Sequence, residues 1–210
     1  MKTISEYKDL ALQSLEGKWG KSAIAVLITF LIFDGVGIAP SFLFRDTPVM
    51  GSIIQTALTL ALIPLSWGLI VYFLRLIREE DIAFERLFDG FSQYVRIFTA
   101  ELLKTIYVML WSLLLIIPGF IKQYSYSMTE FILKDHPELN AEQAICMSMR
   151  MMQGHKMQLF LLDLSLIGWL LLSVLTLGIG LLFLFPYYYS AHAHFYEDLK
   201  EQEVEIIEQI

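Results

Sequence analysis

The sequence predicts an all-α polytopic membrane protein: six transmembrane helices as three hairpins, each preceded by a short cytoplasmic interfacial amphipathic helix. Three observations predict it. The first is composition. Of 210 residues, 56% are hydrophobic before glycine is counted, only 18% are charged, and the mean hydropathy is +0.58. Soluble domains carry about 45–50% apolar residues with glycine included and about 25% charged. A globule this small has too little interior to hide the difference, which excludes a soluble enzyme, a disordered chain and a secreted disulfide scaffold. The other two observations are glycine- and proline-marked breaks inside the longest apolar runs, and the placement of Lys and Arg.

Ser22–Phe44 and Met50–Leu74 are uninterrupted apolar runs apart from Asp34. Each exceeds the roughly 20 residues that cross about 30 Å of hydrocarbon. Taken as one helix, Met157–Tyr189 would be about 50 Å long at 1.5 Å per residue, too long for one crossing. The glycines divide it. Met157–Leu175 turns at Thr176-Leu177-Gly178-Ile179-Gly180 and returns as Leu181–Tyr196. In the same way Ile97–Ile117 turns at Pro118-Gly119 and returns as Phe120–Lys134. Pro and Gly are expected where a helix stops and reverses within a few residues. Both returning helices are half polar, with Tyr, Ser and Thr in the first and Tyr, Ser and His in the second, which suits packing inside a bundle.

Charge supports the same count. Six spans put twelve Lys and Arg residues inside and only Arg45 and Lys122 outside, with Lys104 near the inner end of the third span. Four spans would move Lys122, Lys134, Arg150 and Lys156 outside. The positive-inside rule therefore favours six spans in the cell membrane with both termini cytoplasmic. Residues 1–210 form one transmembrane domain, ending in an acidic cytoplasmic tail over 197–210. The net charge of −7 excludes nucleic acid as a partner. The one thiol, Cys146, excludes an internal disulfide. The long first apolar run is not that of a cleavable signal.

Each hairpin has a polar helix before it, over residues 4–16, 82–89 and 141–153. Thr3 to Glu6 and Asn140 to Gln143 have capping-box spacing, and Asp81 precedes the second helix. Ile4, Ala11, Leu12, Leu15 and Trp19 share one face; so do Ala141, Ala144, Ile145, Ser148, Met149 and Met152. Gly17, Gly90 and Gly154 stand where each would stop, so the chain reads as one unit repeated three times.

The stretch from Ile116 to Met128 (IIPGFIKQYSYSM), Leu133-Lys134-Asp135 and Ser148 to Lys156 (SMRMMQGHK) resembles a family of bacterial integral membrane proteins, domain of unknown function 975. Leu159 to Ser165, Gly168-Trp169, Thr176 to Gly180, Pro186-Tyr187, Phe195 to Leu199 and the opening Leu15 to Trp19 fit it as well. The resemblance covers nearly the whole chain. It implies a multi-span membrane fold without an established activity.

Five residues are candidates for binding: Asp34, Lys122, Tyr124, Tyr126 and Asp163. Asp34 lies about 20 Å into the first span, where an ionisable group is costly and a functional candidate by default. Lys122 is its expected partner; the alternative is an end-of-helix carboxylate beside Gly35, Gly37 and Pro40. Asp163 can accept hydrogen bonds from tyrosines of the sixth span, and Glu101 and Lys104 can pair on one helix face. The four histidines, with Asp135, Glu197 and Asp198, offer nitrogen and oxygen ligands. But His192 and His194 are two apart and point to different sides of a helix, so no metal and no cofactor is expected. No nucleophile elbow, phosphate loop or His-Glu-x-x-His is present. The expected function is a non-enzymatic module that organises the bilayer or binds another membrane protein or a second copy. The alternatives are a small permease or ion/proton pathway through the bundle, and a membrane-embedded enzyme acting on lipid.

Overall fold

A computed structural model of the chain describes residues 1–208, with side chains through Gln202; positions 209 and 210 of the expected acidic tail lie outside it. Every regular element among the described residues is helical: α1 (Ile4–Leu15), α2 (Trp19–Leu43), α3 (Pro48–Ala61), α4 (Ile63–Ile77), a 3₁₀ helix (Phe84–Gln93), α5 (Tyr94–Leu114), α6 (Ile116–Ser125), α7 (Thr129–Asp135), α8 (Ala141–Met151), α9 (Lys156–Leu175) and α10 (Leu181–Glu208). Among the described residues, four stretches are long and apolar enough to cross a membrane: Trp19–Leu43, Pro48–Ile77, Phe84–Leu114 and Lys156–Leu175.

α1 and α8 both start with a complete capping box, Thr3 with Glu6 and Asn140 with Gln143. Their apolar faces turn into the molecule. Tyr7, Ala11 and Leu15 of α1 are buried, chiefly against α10, and Ala141, Ala144, Ile145 and Ser148 of α8 are buried mostly against α5 and α7. Gly17 and Gly154, beyond these helices, adopt positive φ (72° and 89°). The segment expected as a helix over 82–89 stopped by Gly90 differs. It is a 3₁₀ helix that runs through Gly90 to Gln93. Gly90 is there for close approach: a Cβ would sit 2.5 Å from the Pro64 carbonyl oxygen, and one on Gly68 would sit 1.9 Å from that of Leu87. Two backbones touch, so side chains are excluded.

Three expected spans end or break elsewhere than the sequence suggests, for local reasons. The run 50–74 breaks at Leu62 because Pro64 has no N–H and its ring clashes with the carbonyl one turn earlier. That carbonyl, on Leu60, accepts from the Tyr94 hydroxyl instead (3.3 Å). The reversal expected at Pro118-Gly119 occurs at Leu115, whose extended φ/ψ (−161°, 145°) links α5 directly to α6. Pro118 falls in the first turn of α6, where no N–H partner is needed. Gly119 lets α6 lie on α5, since a Cβ there would be 2.0 Å from Ser112 Oγ. Small residues at such crossings let membrane helices approach closely. The run 120–134 is broken between α6 and α7 at Tyr126–Met128. Ser148 of α8 bridges the break: its hydroxyl donates to the Ser125 carbonyl (2.9 Å) and accepts from the Met128 N–H (3.1 Å). The turn at 176–180 stands where the glycines place it, with Gly178 at φ 87° and the Gly180 N–H donating to Thr176 Oγ1 (3.0 Å).

Burial is lopsided. The core comprises α4, α7, the inward faces of α1 and α8, and the middle of α10. The helix ends beside the linkers at 44–47, 115 and 176–180 expose large apolar residues, among them Phe42, Leu113, Ile117 and Leu175.

Removing the Ser148 hydroxyl leaves a buried carbonyl and a buried N–H without a partner, which costs about 1–3 kcal/mol for an unsatisfied group. Ser148→Ala is expected to lower the thermal midpoint in detergent measurably. Ser52→Ala, whose exposed hydroxyl donates only to the Val49 carbonyl (2.8 Å), is expected to stay within about 0.5 kcal/mol of wild type. Equal midpoints for both variants would show that Ser148 bridges nothing of consequence.

Candidate functional site

A polar cleft of about 130 Å³ opens between α4, α5, α6, α7 and α10, lined by Ile70, Lys104, Gln123, Tyr126, Glu130 and His192 with Tyr188 and Tyr189. Charged groups meet here in the middle of apolar helices. The Lys104 ammonium donates to Glu101 Oε1 (3.1 Å), one turn away on α5, and to the Glu130 carboxylate of α7. Trp67 of α4 donates its indole N–H to the Glu130 carbonyl (3.0 Å). Lys104 and Glu130 are nearly buried, at 13% and 10% side-chain exposure. A buried ammonium without a carboxylate partner would be prohibitively costly.

Behind His192, which lines the cleft, stands Asp163 of α9. Tyr124 of α6 donates to Asp163 Oδ2 (3.0 Å), and His192 Nε2 of α10 lies 2.7 Å from Asp163 Oδ1. The imidazole also packs on the Tyr188 ring, 4.1 Å between centroids. Asp163 thus takes one tyrosine from the fourth expected span and a histidine from the sixth, rather than tyrosines of the sixth. The three consecutive tyrosines 187–189 project around the helix at 100° steps, and none of them donates to it.

Asp34 and Lys122 do not meet. Asp34 is exposed on α2, which packs on α3, α4 and α10, whereas α6, carrying Lys122, packs on α5, α8 and α9. The Lys122 ammonium stands over the Trp111 ring (4.9 Å) and near the Tyr126 ring (5.9 Å), with Met149 Sδ at 3.9 Å. Aromatic faces attract a cation through the ring quadrupole. Tyr126 is buried between this ammonium, Tyr107 and the cleft.

A second charged cluster closes the end of the bundle where Lys2 meets Asp198. Arg78, just beyond α4, grips Asp135 of α7 with both terminal nitrogens (2.6 Å each) and Glu197 of α10 through Nε (2.6 Å). Lys200 Nζ and the Tyr196 hydroxyl also donate to Asp135 Oδ2 (2.7 and 3.0 Å). Arg96 donates to the carbonyls of Leu133, His136 and Leu139 (3.0, 2.6 and 2.7 Å), capping the end of α7. Burial on its own would raise the Asp135 pKa, but the hydrogen bonds and charges of Arg78 and Lys200 outweigh it and hold the carboxyl well below the usual range. Asp198, buried against Tyr7 and the Lys2 N–H and ammonium, is lowered in the same way.

The acids weighed as metal ligands are therefore ion-pair anchors. The histidines stand apart: His136 beside Glu138 (3.0 Å), His194 beside Ser14 Oγ (2.7 Å) and His192 on Asp163. Among the described residues no three His, Cys, Asp or Glu side chains converge on a metal position.

The family model described as "Protein of unknown function (DUF975)" matches residues 1–122 and 112–203. The chain belongs to that family. In this DUF975 protein the first match supplies Ile70 and Lys104 to the cleft. The second supplies Gln123, Tyr126, Ser127, Glu130 and His192. No curated protein and no solved structure matches the chain.

Sequence reasoning reached the Glu101–Lys104 pair through its three-residue spacing. It missed Glu130 as the second partner, and it missed Arg78 as the hub joining α4, α7 and α10. Separations of 26, 57 and 119 residues leave no periodic signal.

Two measurements bear on these clusters. Lys104→Ala strands two carboxylates in the bundle and is expected to cost about 3–5 kcal/mol, the price of breaking a buried pair, read as a large drop in the thermal midpoint; a midpoint unchanged from wild type would show that the pair is solvated. Because the folded-state pKa of Asp135 and Asp198 is depressed, their contribution is complete at neutral pH. It is lost as pH falls below about 4, where the unfolded chain takes up protons first. The loss of midpoint caused by Asp135→Asn is expected to be constant from pH 7 to about 5 and to shrink on further acidification. A loss that grows on acidification would contradict the assignment.

Proposed function

We propose that this DUF975 protein is a non-enzymatic, multi-pass protein of the cell membrane that takes a small polar solute or ion into its helix bundle at the Lys104–Glu130–His192 cleft, as a small permease does. One observation carries the reading: the ionisable side chains Lys104 of α5, Glu130 of α7 and His192 of α10 line a solvent-sized space inside the bundle, and Asp163 of α9 is hydrogen-bonded to His192. Ionisable groups inside membrane bundles characteristically mark substrate or ion pathways. A module acting through its interfacial helices is less well supported, because α1 and α8 bury their apolar faces within the chain.

The topology belongs to the same proposal. Six spans as three hairpins, with both termini cytoplasmic, take α6 with α7 as the fourth crossing and the first half of α10 as the sixth. Gly51 against Phe44, Gly119 against Ser112 and Gly180 against Ser173 support the pairings α2 with α3, α5 with α6 and α9 with α10.

Two thiol experiments test these statements. Cys146 is exposed on α8. A membrane-impermeant maleimide is expected to label it in inverted vesicles and not in intact spheroplasts; labelling from outside would overturn the six-span topology. In a Cys146→Ser background, Ser127→Cys at the cleft is expected to react with a small charged methanethiosulfonate. A thiol there that stays unreactive in the folded protein would mean the cleft is closed to water, and the solute-pathway reading would fall.

A further inference from the structure

The polar cleft has a neighbour across Tyr188. A second, apolar groove of about 380 Å³ runs between α9 and α10, lined by Asp163, Leu166, Ile167, Leu170, Leu184, Phe185 and Tyr188. Tyr188 is a wall of both spaces, and the His192–Asp163 hydrogen bond crosses their boundary. The two volumes differ sharply in chemistry. Around the first stand Glu130, Lys104, Gln123 and His192; the second is hydrocarbon except at its Asp163 mouth. Ligand sites commonly combine an apolar wall with a few convergent polar groups, in volumes of roughly 300–1,000 Å³.

We infer that the two spaces form one site for a single-chain amphiphile, its head in the cleft and its tail in the α9–α10 groove. This rests on the reading of the cleft as a solute site and names the class of solute. Charge selects the head. Glu130, Lys104 and His192 line the cleft beside the phenols of Tyr126, Tyr188 and Tyr189; Glu101 stands behind Lys104 and Asp163 behind His192, so three carboxylates accompany one lysine and one histidine. A protonated amine finds acceptors and a favourable field there, whereas a phosphate meets like charge. The ligand class is a long-chain primary amine or an equivalent small amine-headed lipid.

Titration of the purified protein in detergent with dodecylamine and with dodecyl phosphate, read by native mass spectrometry, tests the assignment. The expected result is a saturable 1:1 adduct with the amine, at least tenfold weaker with the phosphate. Leu170→Trp and Ile167→Trp fill the groove. Both positions are nearly half exposed to lipid, at 44% and 45%, so the added ring leaves the fold intact, and each is expected to weaken amine binding at least tenfold. Dodecylamine, and not dodecyl phosphate, is also expected to protect Ser127→Cys in the Cys146→Ser background from the methanethiosulfonate, a measurement that leaves every ligand-facing charge in place. Equal adducts with both heads, or amine binding indifferent to both tryptophans, would overturn the inference. If Ser127→Cys reacts freely but neither probe binds saturably, the amphiphile is wrong and the cleft reading survives; if the thiol never reacts, both fail.

Discussion

Lys104, held between Glu101 of its own helix and Glu130 of α7, is the interaction on which the arrangement of the bundle turns. In an apolar medium an ammonium must bring its counter-charge with it, and a carboxylate must find donors. That requirement draws α7 against α5, and the Trp67 indole on the Glu130 carbonyl then draws in α4. Asp163 imposes the same demand, tying α9 to α6 through Tyr124 and to α10 through His192. The polar cleft is the space left where these two obligations face each other.

The backbone obeys a parallel constraint. Without water, each interrupted helix needs a substitute partner for the groups it frees. Tyr94 supplies one for Leu60, Ser148 supplies two across the α6–α7 break, and Arg96 takes three carbonyls at the end of α7. These side chains come from elements distant in sequence, so each helix break also fastens two parts of the chain together. The charged cluster of Arg78, Asp135, Glu197 and Lys200 does the same at the end where Lys2 meets Asp198. Packing is dense at that end, while the opposite helix ends expose Leu, Ile and Phe side chains. The molecule is braced from one side and presents hydrocarbon on the other.

Composition by itself determined that this chain belongs among apolar helices, because no folded globule of 210 residues can bury so large an apolar fraction. The capping boxes at Thr3 and Asn140, the turn over Thr176 to Gly180 and the Glu101–Lys104 pair were legible too, since each rests on neighbours within four residues. Tertiary structure decided what spacing along the chain could not express. Gly90 looked like a helix stop and is a contact point for the Pro64 backbone; Pro118 looked like a turn and opens a helix; Asp34 and Lys122 looked like partners and lie on different walls. The cleft itself joins residues up to 122 positions apart, Ile70 to His192. The physical reason is range: hydrogen bonds and steric rules between adjacent turns are written locally, whereas the partner of a buried charge is whichever donor or acceptor the packed helices bring within about 3 Å.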